Sequence, residues 1–196
     1  MITLQSIADN PSLVTSKYQL KSGEAVVFRP LNEHDVLAFG RFMEELSEEI
    51  RRRFGPHPLN SEEAARICDK LDVLKMLRMI LVNSNDEIVG YIILSFELRD
   101  SQVLRYEDYK IPIERGRDIC VAPAVADRYQ NSGLGSIMLE ETIKIAQRLG
   151  VKYIILWQGT QLTNTRAIHF YEKFGFQKSG EFEKYGNNNV DMTLML

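Results

Sequence analysis

The sequence predicts one α/β (α+β) domain, and three observations carry that prediction. Short β-prone runs alternate with amphipathic helical segments along the chain. A glycine-bearing loop, Gln130-Asn131-Ser132-Gly133-Leu134-Gly135-Ser136, stands where an apolar run hands over to a well-patterned helix. The chain closes on two β-prone runs joined by Gly186-Asn187-Asn188-Asn189, residues that tolerate the positive φ of a tight turn. A length of 196 residues suits one domain with a substantial core, and no repeat or low-complexity linker divides it.

The elements follow in order. Residues 1–23 read as a polar-mixed N-terminal extension that either packs on the domain or hangs loose, with the domain itself over 24–196. Residues 26–31 form a first strand ending at Pro30, and Asn32 and Asp35 open a helix. Residues 39–53 are helical, with Phe39, Phe42, Met43, Leu46 and Ile50 on one broad face. Ser61 is the candidate cap of the next helix. Residues 79–82 and 88–96 form a hairpin around the turn at 83–86. A long loop over 99–116, mixing acids, bases and Tyr106 and Tyr109, has the character of a binding lid. Beyond the glycine loop, Leu139, Ile143, Ala146 and Leu149 recur at helical spacing and Gly150 ends the helix. Residues 151–157 are a buried strand; Asn164 caps a helix carrying Ala167, Phe170, Tyr171 and Phe174 that stops at Gly175. Residues 176–184 and 190–196 are the closing strands.

The glycine loop is an anion site in outline. Glycines at 133 and 135 let the backbone turn without a Cβ in the way, so peptide N–H groups converge at the positive end of the following helix. It is not a Walker-type loop, because Ser136-Ile137 replaces the Lys-Ser/Thr pair, and it is not a dinucleotide fingerprint, because position 138 is Met.

The pattern Val125-x-Asp127-x-Tyr129-Gln130-x-x-Gly133-x-Gly135, followed by Asn164-x-x-Ala167-x-x-Phe170-Tyr171-Glu172-Lys173-Phe174-Gly175-Phe176, resembles the GCN5-related N-acetyltransferases. The resemblance implies a mixed, mostly antiparallel sheet with helices on both faces and two strands splayed around acetyl-CoA. It places the pyrophosphate on Gln130, Asn131, Ser132, Gly133, Leu134, Gly135 and Ser136, and the pantetheine arm beside the block from Asn164 to Phe176. The segment from Leu46 to Phe54 further resembles the first helical hairpin of the family's protein-lysine acetyltransferases.

Acetyl transfer to an amine needs the amine deprotonated, the developing oxyanion held and the departing thiolate protonated. The resemblance implies Tyr171 as the acid, against packing between Phe170 and Phe174 as the plainer reading. The family's usual base position falls near Cys120, which is not an acid; Asp118, two residues earlier on the same face of an extended strand, and Glu114 are the candidates, with deprotonation through water as the alternative. Cys120 itself reads as a buried free thiol. Backbone N–H groups near Ala124, Val125 and Ala126 would hold the oxyanion, and Pro123 marks a bulge in that strand. Asn164 either caps its helix or also bonds the CoA arm.

Composition excludes several classes. A formal net charge of −3 argues against a nucleic-acid partner. The apolar runs are too short for a membrane span, the N-terminus lacks a signal peptide's apolar segment, and two cysteines, Cys68 and Cys120, suit a reducing cytoplasm. His34 and His169 have no partners at metal spacing, so no metal is expected; His57 reads as a surface loop histidine and Arg51-Arg52-Arg53 as a solvated helix end. The expected function is acetyl transfer from acetyl-CoA to an amine-bearing small molecule or protein. The alternatives are a non-catalytic acyl-CoA sensor and transfer of a longer acyl group. The edge strands of the last hairpin offer a surface for a homodimer.

Overall fold

The computed structural model describes residues 1–184 and 186–196. The first 23 residues take the packed alternative. Helix α1 (Leu4–Asp9) is capped by Thr3, whose hydroxyl accepts from the Ser6 N–H at 3.0 Å. Ile7 and Val14 are buried in the main core, and β1 (Ser16–Gln19) adds an antiparallel strand to β2 (Ala25–Pro30). Asn32 opens a short 3-10 turn that leads into α2 (Val36–Glu45).

The single helix expected over 39–53 is two. At Leu46 the backbone swings to φ −67°, ψ 136°, and Ser47 caps a new helix, α3 (Glu48–Arg53). Arg51 is not a solvated cation. Its guanidinium donates to the carbonyls of Met43, Glu44 and Leu46, closing the C-terminus of α2. Arg53 pairs with Glu49 at 2.7 Å. Helix α4 (Ser61–Asp69) is capped by Asn60 rather than Ser61: its Oδ1 accepts from the Glu63 N–H at 2.8 Å.

Strands β3 (Met76–Asn83) and β4 (Ile88–Ser95) form the expected hairpin, and every residue of β4 is buried because both sheet faces are covered. The stretch read as a loop over 99–116 contains α5 (Asp100–Asp108). The remainder runs β5 (Ile119–Val125), α6 (Leu134–Leu149), β6 (Tyr153–Leu156), β7 (Thr160–Gln161), α7 (Thr165–Lys173), β8 (Gln177–Lys184) and β9 (Asn187–Met195). The sheet order is β1-β2-β3-β4-β5-β6-β9-β7, with β8 paired to β9. Among the described pairs only β5–β6 is parallel.

Side-chain alternation along β5 sorts the helices onto two faces. Ile119 and Val121 enter the core formed with α6 and α7. Ala122 and Ala124, with Ala126 just beyond the strand, enter the core formed with α2 and α4, and Cys120 enters the smaller one under α5. Helices therefore cover both faces. Among the described residues, no helix is long and apolar enough to cross a membrane and no group of three or more His, Cys, Asp or Glu is placed to hold a metal ion.

Candidate active site

The sheet opens between β5 and β6. Their pairing covers only Ile119–Val121 against Ile154–Leu156, and the Trp157 N–H to Val121 carbonyl bond, 2.8 Å, is the last before they part. Strand β5 stays paired to β4 up to Val125, whereas the chain after Leu156 turns away through Gln158 and Gly159, at φ 56° and 68°. Gly159 is required there: a Cβ would stand 2.7 Å from the Val190 carbonyl oxygen.

The split fixes which backbone groups of β5 are available. The Val121 carbonyl points to β6 and the Ala126 N–H points to the Val89 carbonyl on the opposite side, at 3.0 Å. Alternation then turns Val121, Pro123 and Val125 to the open edge and Ala124 and Ala126 to β4. Of the three expected oxyanion donors only Val125 presents its N–H to the split; those of Ala124 and Ala126 belong to the ladder side. Pro123 marks no bulge: it pairs with Ile92 in unbroken register, and its missing N–H falls on the open edge, where no ladder bond is lost.

The glycine loop lies at the end of this edge. Asn131 at φ 63° and Gly133 at φ 93° turn it, and the first helical bond of α6 runs from the Ile137 N–H to the Gly133 carbonyl. Gly133 is the N-cap and supplies no side-chain acceptor, so the N–H groups of Leu134, Gly135 and Ser136 remain at an uncapped helix start. The Leu134 side chain is fully buried and anchors the helix, so only its backbone serves this point. The Ser132 hydroxyl is turned to the Tyr129 carbonyl within the loop. Asp127 accepts from the Ser47 N–H at 2.8 Å and so ties the loop to the start of α3.

Arg166, on the first turn of α7, was not singled out from the sequence. Its guanidinium donates to Gln130 Oε1 at 2.8 Å and Asn131 Oδ1 at 3.0 Å, and it makes no ion pair with a carboxylate among the described residues. A cation is thus held on the anion loop by neutral acceptors. Uncapped donors, glycine turn and guanidinium together fit a bound pyrophosphate.

Tyr171 faces the same core from α7, its ring 5.3 Å from Phe170 and 5.3 Å from Phe176, and it is buried. Its hydroxyl has no hydrogen-bond partner among the described residues, and burial alone raises its pKa above the ordinary tyrosine value. Phe170 reaches the loop: a Cβ at Gly135 would contact its ring at 3.6 Å. Asn164 caps α7, with Oδ1 accepting from the Ala167 N–H at 3.3 Å.

The two candidate bases are placed elsewhere. Asp118 precedes β5 and is fully buried. Its carboxylate accepts from the N–H groups of Glu114 (2.7 Å), Lys152 (3.2 Å) and Tyr153 (2.8 Å) and pairs with Arg117. Glu114 is exposed and pairs with the same arginine. Both stand at the closed end of β5, where β6 begins. Cys120, at the expected base position, is a buried thiol whose pKa desolvation pushes up to about 12, so it stays protonated.

On the α2–α4 face, Arg78 donates to the Tyr91 hydroxyl, which lies 3.3 Å from His57 Nε2, while His57 Nδ1 meets the Pro58 carbonyl at 2.7 Å. His57 is therefore half-buried in its loop, packed against Phe54 and Tyr91. Burial brings its pKa down to about 4. Because the unfolded chain takes up this proton near pH 6.5 and the folded chain does not, the stability it contributes is present above pH 6.5 and lost as pH falls toward 4. Thermal melts from pH 7 to 4 should show the wild type losing on the order of 2 kcal/mol more than His57→Gln over that window.

The profile of the acetyltransferase (GNAT) family matches residues 43–176. No curated protein sequence matches the chain. Among solved structures, the GNAT domain of S. lividans PAT is similar at TM-score 0.75 and 18% identity, covering 95% of this chain and 99% of that one. The ribosomal-protein-S5-alanine acetyltransferase from Vibrio fischeri is similar at 0.71 and 13%, covering 92% and 96%. The aminoglycoside acetyltransferase AAC(6')-Ib in complex with coenzyme A is similar at 0.65 and 21%, covering 87% and 94%. With the split sheet, the glycine loop and the family profile in agreement, the chain belongs to the GNAT family of acetyltransferases.

Proposed function

We propose that this chain transfers an acetyl group from acetyl-CoA to a primary amine, on a protein lysine or N-terminus or on a small molecule, by direct attack. The observation that carries the reading is the split itself, which leaves the Val125 N–H on the open edge of β5, leading to the uncapped start of α6. Bound there, acetyl-CoA supplies the acetyl group as a thioester, activated toward a neutral amine. Gln130, Asn131 and Arg166 with the N–H groups of 133–136 hold the pyrophosphate, and Asn164 Nδ2 is left to bond the pantetheine arm. The Val125 N–H receives the charge that develops on the carbonyl oxygen. Tyr171 stays protonated at neutral pH and donates to the departing sulfur. With Asp118 and Glu114 engaged at the other end of β5, water removes the amine proton.

The test is acceptor-dependent release of CoA thiol across lysine peptides, N-terminal peptides, amino sugars, polyamines and amino acids. Release with one class supports the enzyme; tight binding of acetyl-CoA with no release anywhere moves the reading to a sensor. Arg166→Ala should raise the KM for acetyl-CoA about tenfold with kcat little changed, as loss of an exposed charge-assisted contact predicts. With S-acetyl-pantetheine, which lacks the phosphates, the same variant should match the wild type.

A further inference from the structure

The α5 face of the split is lined by hydrogen-bond donors and cations. Trp157 makes the last β5–β6 bond, and Gln158 is the first residue beyond it. The Arg99 guanidinium lies 5.3 Å from the Trp157 ring centroid, and Lys184 Nζ donates to Gln158 Oε1. Two positive side chains thus flank the point where the strands part. Arg105 stands near them, over the Phe182 ring at 3.9 Å.

The acids of this region are already engaged or stand on the rim. Asp191, fully buried, takes a bidentate pair from Arg105 at 2.7 and 3.1 Å. Asp100 pairs with Arg115. Glu97 is exposed on the groove outside Arg99. Arg99 makes no ion pair among the described residues. Lys184 has its pKa lowered, first by burial and then by Arg99 and Arg105, as expected where cations crowd.

One buried donor beside Arg99 has no acceptor. Gln102, 2% exposed, gives its Oε1 to the Arg99 N–H at 2.9 Å and has the buried Cys120 thiol beside its Nε2. The indole Nε1 of Trp157, by contrast, is buried and unpartnered. Orphaned buried donors are rare and call for an acceptor. The Trp157 donor, with Arg99 beside it lacking a carboxylate among the described residues, asks for an anion.

We propose that the acceptor amine carries a carboxylate, and that Arg99 holds it at the α5 side of the split with the Trp157 indole N–H and the Lys184 charge beside it. The proposal rests on the acetyltransferase reading above. It selects amino acids, or peptides with an acidic residue next to the reacting amine, over polyamines, whose extra positive charge these side chains repel.

The test uses matched acceptors with the full-length enzyme: peptides in which a reactive lysine or N-terminus is followed by Glu, Gln or Lys, and small amines taken as acid, amide and diamine. The acid forms should exceed the amides about tenfold in kcat/KM and the diamines by more. Arg99→Ala should collapse the acid-over-amide ratio toward one without changing the KM for acetyl-CoA, and Arg99→Lys should restore part of it. CoA release that is equal for acid and amide, or that favours the diamine, overturns this proposal and leaves the acetyltransferase reading standing. An unchanged ratio in Arg99→Ala overturns it too. Absence of release with every acceptor overturns the acetyltransferase reading, and this one with it.

Discussion

Replacing Tyr171 with Phe is expected to lower kcat about a hundredfold while the KM for acetyl-CoA stays within about twofold. The substitution is unusually clean. The ring, packed between Phe170 and Phe176, is kept, so the core of α7 is undisturbed. The hydroxyl has no partner among the described residues, so its removal orphans no donor or acceptor in the chain. Stability should therefore be unchanged within about 0.5 kcal/mol, and a thermal melt beside the steady-state kinetics checks it. A loss confined to kcat then has proton transfer as its source. Burial holds the phenol protonated through neutral pH, and the same apolar surroundings raise the pKa of a thiol departing beside it, so the donor's rise is offset by one in the acceptor. Unchanged kcat in Tyr171→Phe would return the residue to a packing role.

Local signals in the sequence reached far where chemistry is local, and stopped where it is not. The glycine loop, the Gly150 stop and the Asn164 cap are each written in a few adjacent residues, and each appears as expected. Helix α5 escaped notice because its segment, with Asp100, Arg105, Glu107 and Asp108, is polar enough to read as a loop; its stability comes from Tyr106 and Gln102 packing under it. The break at Leu46 was legible only in the Ser47 cap, which an unbroken apolar face over 39–50 concealed. Arg166 meets residues 35 and 36 positions away, and no periodicity reports such a contact. Parity along a strand selected Asp118 as a neighbour of Cys120, yet β5 begins at Ile119, so Asp118 sits in a turn where parity has no meaning.

Asp118→Ala is accordingly expected to injure the fold and spare the chemistry. The wild-type carboxylate satisfies three backbone N–H groups, two of them at the start of β6, and neutralises Arg117. Truncation leaves those donors without acceptors inside the protein and strips the arginine of its buried partner, which together should cost about 3 to 5 kcal/mol. For a chain of this size the midpoint of thermal unfolding should fall on the order of 10 °C. The damage falls on the segment that sets the β5–β6 pairing, the three-residue register from which the split opens. Asp118→Asn should be intermediate, since one oxygen still accepts while the new amide faces donors. Measured below its own melting range, Asp118→Ala should retain most of the wild-type kcat, because the carboxylate lies at the closed end of the strand. A base gives the opposite signature: Asp118→Asn with wild-type melting and a hundredfold loss of kcat would bring the carboxylate back into the proton path and make water its relay.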